Sequence, residues 1–398
     1  MNYQFADRVK SLNPSAIREI LKYAADPEVV SLSAGNPAPE AFPAKDIAAI
    51  TSRILTERPI DALQYGTTEG YAPLRTRLVS YMKGNHNVGR DFDNILITSG
   101  AQQTMELAAK VLCNHGDAVV CEAPSFIGSL NSFRSLGVNL IGVPMQSDGI
   151  DLTELESALK SHSNIKFIYT IPNFQNPSGI TMSMDKRRKL YALAKEYNVV
   201  IVEDNPYGDL RFDGTDVPAV KSLDEDGLVI YAGSFSKVLA PGLRVGFAIA
   251  PADLLQKMIV CKQVEDVHTA MLVQIICDEF MKTCDYENHL NNLRNLYRKK
   301  ARLMLSLIEQ HLVPHGITYD NIQGGLFVWC RLPKTIDMPS FCKRAIVEQK
   351  VAVVPGNAFL VNQDLPCQNF RLNFSTPSDD AMRKGIERLG ILLKTMDY

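Results

Sequence analysis

The stretch Ser234-Phe235-Ser236-Lys237-Val238-Leu239-Ala240-Pro241-Gly242-Leu243-Arg244-Val245-Gly246-Phe247 decides how the rest of the chain is read. Just before it, Leu228-Val229-Ile230-Tyr231-Ala232-Gly233 is a short continuous apolar run, the pattern of a buried strand. After Arg244 a second apolar run, Val245 to Ala250, follows at turn length. Lys237 therefore sits on a turn between two strands, with hydroxyls one and three residues before it and a guanidinium seven residues after it. Such a set of cations and hydroxyls suits an anion, and it fixes one primary amine where it can react. Alone, the motif reads equally as a solvated lysine on a Ser/Gly/Pro loop; the other strand ends decide between the two.

Upstream, apolar strands over 95–98, 118–121, 138–142, 165–170, 199–203 and 228–232 are interspersed with helices up to 113 and over 126–136, 153–160 and 185–197. This pattern predicts an α/β fold with a mainly parallel sheet covered on both faces, right-handed crossovers, and ligands beyond the carboxyl ends of the strands. Val245–Ala250 is joined too tightly to its predecessor for a crossover and is expected to run antiparallel. Helices over 252–264, 270–282 and 286–311 follow, the last a bridge toward a second lobe, and from Gly316 the pattern is α+β. There the expected strands are 326–331, 351–354 and 369–374, with helices over 338–349 and 378–394. Ahead of the sheet lie a helical stretch from Ser15 to Ala24, an irregular Gly/Pro arm over 31–43, a helix near 44–57, and the loop Gln64-Tyr65-Gly66-Thr67-Thr68-Glu69-Gly70 leading into a helix over 71–83. The expected division is an arm (1–45) packing on the small domain, a large domain (46–295) and a small α+β domain (296–398).

A chain of 398 residues with 46% hydrophobic content and a net charge of −2 is an ordinary globular protein, with no basic excess for nucleic acid. No run approaches the ~18 apolar residues of a membrane span. Met1 to Lys10 is polar and does not resemble a secretory signal. The eight cysteines form no CxxC pair and mostly fall in apolar segments, which favours reduced thiols in a cytoplasmic protein and gives no metal-ligand spacing.

The other strand ends carry polar groups with two readings each. Ser99-Gly100-Ala101-Gln102 turns into a helix whose free amides suit a phosphate, or it is a plain Ser N-cap. Phe126, past the strand ending at Cys121, is a stacking ring or a core residue. Pro172-Asn173-Phe174-Gln175-Asn176-Pro177-Ser178-Gly179 presents an Asn or is ordinary turn chemistry. In Glu203-Asp204-Asn205-Pro206-Tyr207 the Asp is a ligand or a turn cap. Arg371, in Phe370-Arg371-Leu372-Asn373-Phe374, alternates away from the apolar face, as a ligand or a solvated strand residue.

Taken together, Asn176-Pro177-x-Gly179, Asp204-x-Pro206-Tyr207 and Ser234-x-Ser236-Lys237 with Arg244 resemble the motifs of fold-type I pyridoxal-phosphate aminotransferases, in order and over nearly the whole chain. The arm and the Gln-Tyr-x-x-x-x-Gly loop are similar to those of the 2-aminoadipate/kynurenine branch. The resemblance implies pyridoxal 5'-phosphate as cofactor, with Lys237 bonding covalently to its aldehyde and then shuttling a proton. Asp204 would pair with the pyridine N–H. Tyr207 and Asn176 would bond the ring oxygen, and Phe126 would stack on the ring. Close relatives often carry Tyr at the Phe126 position, so the hydroxyl is absent here. Ala101, Gln102, Ser234, Ser236 and Arg244 would hold the phosphate, and Tyr65 would reach it from the partner subunit of a homodimer.

The resemblance makes Arg371 the clamp for the substrate α-carboxylate, with a backbone contact from Gly35 and a further contact from Asn176. Arg18, in Ser15-Ala16-Ile17-Arg18-Glu19, would meet the distal carboxylate of dicarboxylic substrates, or it is a helix-surface arginine paired with an acid. The implied reaction moves an amino group from an L-amino acid to a 2-oxo acid, 2-oxoglutarate foremost, by a ping-pong mechanism. A C–S β-lyase uses the same groups and is the alternative. An effector-sensing regulatory domain is the alternative of another class; the arm starting within the first fifteen residues and the absence of a basic excess weigh against it.

Overall fold

The computed structural model describes residues 3–10 and 26–396. Its strands in chain order are β1 (Val30–Ser31), β2 (Asp93–Thr98), β3 (Ala118–Ala123), β4 (Asn139–Gln146), β5 (Gly149–Ile150), β6 (Ile165–Thr170), β7 (Val200–Asp204), β8 (Val229–Ser234), β9 (Gly246–Pro251), β10 (Thr318–Tyr319), β11 (Phe327–Arg331), β12 (Val351–Ala352), β13 (Val354–Pro355) and β14 (Asn369–Asn373). The helices are α1 (Asp7–Lys10), α2 (Ala44–Glu57), α3 (Pro59–Leu63), α4 (Ala72–His86), α5 (Ala101–Leu112), α6 (Ile127–Ser135), α7 (Leu152–Ser161), α8 (Met184–Glu196), α9 (Ala252–Glu265), α10 (Met271–Thr283), α11 (Tyr286–His311), α12 (Met338–Val347) and α13 (Asp379–Lys394).

Eight strands form one sheet in the order β2-β9-β8-β7-β6-β3-β4-β5. From β8 to β4 neighbouring strands are parallel. As the short connection predicts, β9 is antiparallel to β8, and it is antiparallel to β2 as well. At the far edge β5 folds back on β4 as a short hairpin, which the sequence reading did not foresee. Alternation along the buried strands feeds two cores. Val119 and Cys121 of β3 pack on one face with residues of α5, α6, α9 and α10, while Ala118 and Val120 pack on the other with α7 and α8. This arrangement buries both faces and accounts for strands that read as continuous apolar runs. The chain is a fold of the α/β class.

The second sheet, β10-β11-β14-β13, is antiparallel throughout. Its β14 places Arg371 opposite Trp329 on one side and Val354 on the other. Phe370, Leu372 and Phe374 join the core as the alternation requires, but the opposite face is covered too: Arg371 is only 2% exposed. The reading of Arg371 as a solvated strand residue is therefore overturned. The segment expected as one strand over 351–354 splits into β12 and β13, which belong to different sheets. The two residues of β1 pair in parallel with β12, and Leu32 is stitched between Ala352 and Asn373 by backbone bonds.

Candidate active site

Strand register alone assembles the corner that the sequence reading expects to bind an anion. Thr98 at the end of β2 and Ser234 at the end of β8 both pair with Gly246 at the start of β9. The turn 99–101 and the loop 234–244, far apart in sequence, therefore meet at one sheet edge. Gly246 is required there: a Cβ on it would stand 2.7 Å from the Ala101 amide nitrogen. The Ser N-cap reading of Ser99 does not hold. The N-cap is Gly100, at φ +81°, and no side chain caps the helix. Elsewhere Asp151, Ser183 and Ser378 cap α7, α8 and α13 with side-chain oxygens. The first amides of α5 thus lack a side-chain acceptor, and the helix dipole adds partial positive charge there. Arg244 lies over the turn, donating from Nη2 to the Ser99 carbonyl at 3.1 Å and reaching the Ser236 hydroxyl from Nη1 at 3.5 Å.

Beside this corner is a cavity of about 290 Å³ lined by Ala101, Gln102, Ser234, Ser236, Lys237 and Arg244, and by Gly35, Asn176, Tyr207 and Arg371. Phe126 and Asp204, also singled out by the sequence, line it as well. Pro206 and Pro241, inside the quoted motifs, also line it, as do Ser129, Ile171 and Phe327, which sequence reasoning missed. They are apolar or small and come from unrelated segments, so no local pattern marks them. A larger cavity of about 570 Å³ lies behind Pro206 and Ser234. Among the described residues its lining has no lysine, whereas Lys237 lines the smaller one.

Lys237 Nζ donates to the Gly35 carbonyl at 2.8 Å. Burial first, then the nearby charges of Arg371 and Arg244, lowers its pKa to about 8. Asp204, 5% exposed, accepts from the Tyr169 hydroxyl at 2.8 Å on Oδ2. Its Oδ1 is buried and has no hydrogen-bond partner among the described residues. Burial raises this carboxyl to about 6, against the pull of the Tyr169 bond. Tyr169 is itself braced edge-on by Phe133 at 5.4 Å, so the core beneath fixes where the carboxylate points.

In the same lining, Arg371 donates to Asn176 Oδ1 at 2.6 Å and to the Ser33 carbonyl at 2.8 Å. Its guanidinium is sandwiched between Phe327 at 4.2 Å and Phe359 at 4.9 Å, and its Nε has no partner among the described residues. Burial lowers its pKa to about 10, which leaves it charged at neutral pH. Burial pushes the Tyr207 phenol well above its ordinary range. Asn176 is held by a network the sequence did not disclose. Buried Glu122, at the end of β3, accepts from the Thr170 hydroxyl, the Ile171 amide and Gln175 Nε2, and Gln175 Oε1 in turn accepts from both the amide and the hydroxyl of Ser178. Burial raises Glu122 to about 7.

Among the described site residues, one falls outside the cavity. Tyr65 is 80% exposed, its ring edge-on to His268 at 5.7 Å. Arg18, like the rest of the helical stretch Ser15 to Ala24, lies outside the described residues.

An amine, an unpaired buried carboxylate oxygen, an uncapped helix N-terminus with an arginine, and a stacked arginine with an open donor together match the donor set that pyridoxal 5'-phosphate requires. These features define a pyridoxal-phosphate transferase of fold type I. The chain belongs to the family of class I and II aminotransferases, whose model matches residues 27–389. It is 37% identical to the aromatic-amino-acid aminotransferase 1 of Thermococcus litoralis, over 98% of this chain and 94% of that one. It is 39% identical to the 2-aminoadipate transaminase of Thermus thermophilus, over 96% and 94%. Among solved structures, the Pyrococcus horikoshii kynurenine aminotransferase in complex with PMP superposes with a TM-score of 0.93 at 36% identity, covering 98% of this chain and 96% of that one. The protein is a pyridoxal-phosphate-dependent aminotransferase of the branch that holds these relatives.

Proposed function

We propose that the enzyme takes the amino group of an L-amino acid and delivers it to 2-oxoglutarate in two half-reactions at one site, with ping-pong kinetics. One observation carries this: the Lys237 amine, the open oxygen of Asp204 and the open donor of Arg371 line a single cavity. When bound, pyridoxal phosphate supplies an aldehyde that accepts the nitrogen and a conjugated ring that spreads the charge left at Cα.

Asp204 Oδ1 holds the proton on the pyridine nitrogen; the positive partner restores the carboxylate that burial alone disfavours. The amides of Ala101 and Gln102, the hydroxyls of Ser234 and Ser236, and Arg244 hold the phosphate. Asn176 and Tyr207 hold the ring oxygen, and Phe126 covers a ring face. Arg371 clamps the substrate α-carboxylate bidentately and so chooses which Cα bond stands ready to break. Lys237, once its amine is free and uncharged, would take the Cα proton and deliver it to the cofactor carbon that bore the aldehyde oxygen. Its lowered pKa serves that role at near-neutral pH.

The names of the relatives support aromatic amino acids and 2-aminoadipate as donors. Arg18 is assigned the distal carboxylate of dicarboxylic substrates. Tyr65 serves the partner's phosphate in a homodimer, in keeping with its exposure. The arm over 1–45, a large domain over 46–295 and a small one over 296–398 are the working division, and a cytoplasmic location accords with free cysteines. Among the described residues no helix is long and apolar enough to cross a membrane.

The test is a panel of amino acids mixed singly with the loaded enzyme, read by the change in cofactor absorbance and then by its reversal with 2-oxoglutarate. Aromatic donors and 2-aminoadipate should drive the change and 2-oxoglutarate should reverse it. Pyruvate and ammonia from cystathionine with no oxo acid added would instead favour lyase chemistry.

A further inference from the structure

Behind the turn 99–101 lies an ion pair, its lysine buried and its carboxylate partly exposed, that the mechanism does not use. Lys262 of α9 is 0% exposed. Its Nζ donates to both carboxylate oxygens of Asp266 at 2.8 Å, to Gln103 Oε1 at 2.8 Å and to the Thr269 hydroxyl at 3.1 Å. Each partner leads back to the turn. Gln103 Oε1 also accepts from the Ser99 amide at 2.8 Å, and Asp266 Oδ2 accepts from the Ser99 hydroxyl at 2.9 Å. The carbonyl of that same Ser99 is the one that receives Arg244.

The segment after Asp266 is held under strain. Val267 stands at φ +64°, a region that β-branched residues seldom enter unless their surroundings force it. One residue on, His268 accepts the Gly66 amide on Nε2 at 3.3 Å, which leaves Nδ1 to donate to the Thr269 carbonyl at 2.9 Å, and Tyr65 packs on its ring. A single buried ammonium is thus tied both to the turn that ends β2 and to the loop that carries Tyr65.

We propose that Lys262 is a positioning residue for the cofactor phosphate: clamped on Asp266 and Gln103, it fixes the Ser99–Ala101 turn against Arg244 and holds the Tyr65 loop in step with it. This rests on reading that turn as the phosphate seat. Lys262 does not line the cavity; it acts through the Ser99 backbone and hydroxyl.

The experiment compares pyridoxal phosphate with pyridoxal, which has the same aldehyde and ring but no phosphate, each titrated into cofactor-free protein and followed by absorbance. Lys262→Met should weaken pyridoxal phosphate by about 10-fold or more while leaving pyridoxal unchanged, because only the phosphate end loses its geometry. Lys262→Met/Asp266→Asn removes the pair without stranding a charge, and it gives the same readout should the single variant not fold. Equal losses for both aldehydes, or no loss for either, would overturn the brace. Wild-type protein that binds the two equally would overturn the phosphate seat, and the brace with it.

Discussion

Lys237 enters the cavity with its basicity already reduced. Burial is the first cause, and the repulsion of Arg371 and Arg244 adds to it. A lysine reacts only when unprotonated, so in cofactor-free protein its acylation should titrate with a midpoint near pH 8, not the ordinary 10.5. Peptide mass spectrometry after brief acetic anhydride exposure across roughly pH 6 to 10 reads this midpoint directly. Replacing Arg371 with Met should raise it; an ordinary midpoint in the wild type would remove the claim. Arg371 also supports a second test. Its guanidinium is planar, stacked between two rings and already oriented by Asn176 and Ser33. An ammonium cannot reproduce that fork. Arg371→Lys should therefore lower kcat/KM for the amino donor by about 100-fold, within the 2–5 kcal/mol typical of a broken buried charge pair. A Lys variant within about threefold of wild type would count against the clamp.

The elements most legible in the sequence are those whose signal is local. The parallel strands, the antiparallel return of β9 and the long α11 follow from apolar runs and connection lengths. The strands that escaped notice, β1, β5 and β10, have two residues each, and only their tertiary partners make them strands. The site divides the same way. Lys237, Asp204, Asn176 and Arg244 stand in short motifs, whereas Phe327, Gln175 and Lys262 owe their places to residues far along the chain. Glu122 is the sharpest case: in sequence it is only an acid near a proline, yet it anchors the loop that presents Asn176. Its native carboxyl, near 7, keeps a proton that the unfolded chain has already lost above about 4.3. Native proton binding is the greater across that window, so stability falls as pH rises from roughly 4.5 to 7 and levels off above. Glu122→Gln should lack this part of the slope, so the gap between the two urea midpoints should change through the window and stay constant above it. A gap that is constant throughout would contradict the assignment. Glu122→Ala strands the Ile171 amide and the Thr170 hydroxyl, at a cost of about 3 kcal/mol.

At the scale of the whole molecule, Ile60, Leu63, Tyr65 and Val264 are each at least 70% exposed. A two-fold dimer covering them would carry Tyr65 into the neighbouring site. Lys237→Ala and Tyr65→Ala homodimers should then each be impaired, while a mixed dimer regains one intact site, because the sound lysine and the sound tyrosine come from opposite chains. Unfolding and refolding the two variants together at equal amounts should restore about a quarter of wild-type activity, the share expected from random pairing. No gain on mixing would place Tyr65 outside the partner's site. The shared pairing of Thr98 and Ser234 with Gly246 has a consequence for biosynthesis. On the proposed roles, the nascent chain has Lys237 nine residues before β9 begins, and the phosphate seat waits until β9 is translated and threaded between two earlier strands. The carboxylate clamp arrives later still, near the carboxyl terminus. A ribosome stalled near residue 240 should carry a colourless nascent chain, and loading with vitamin B6 becomes an event of the finished polypeptide.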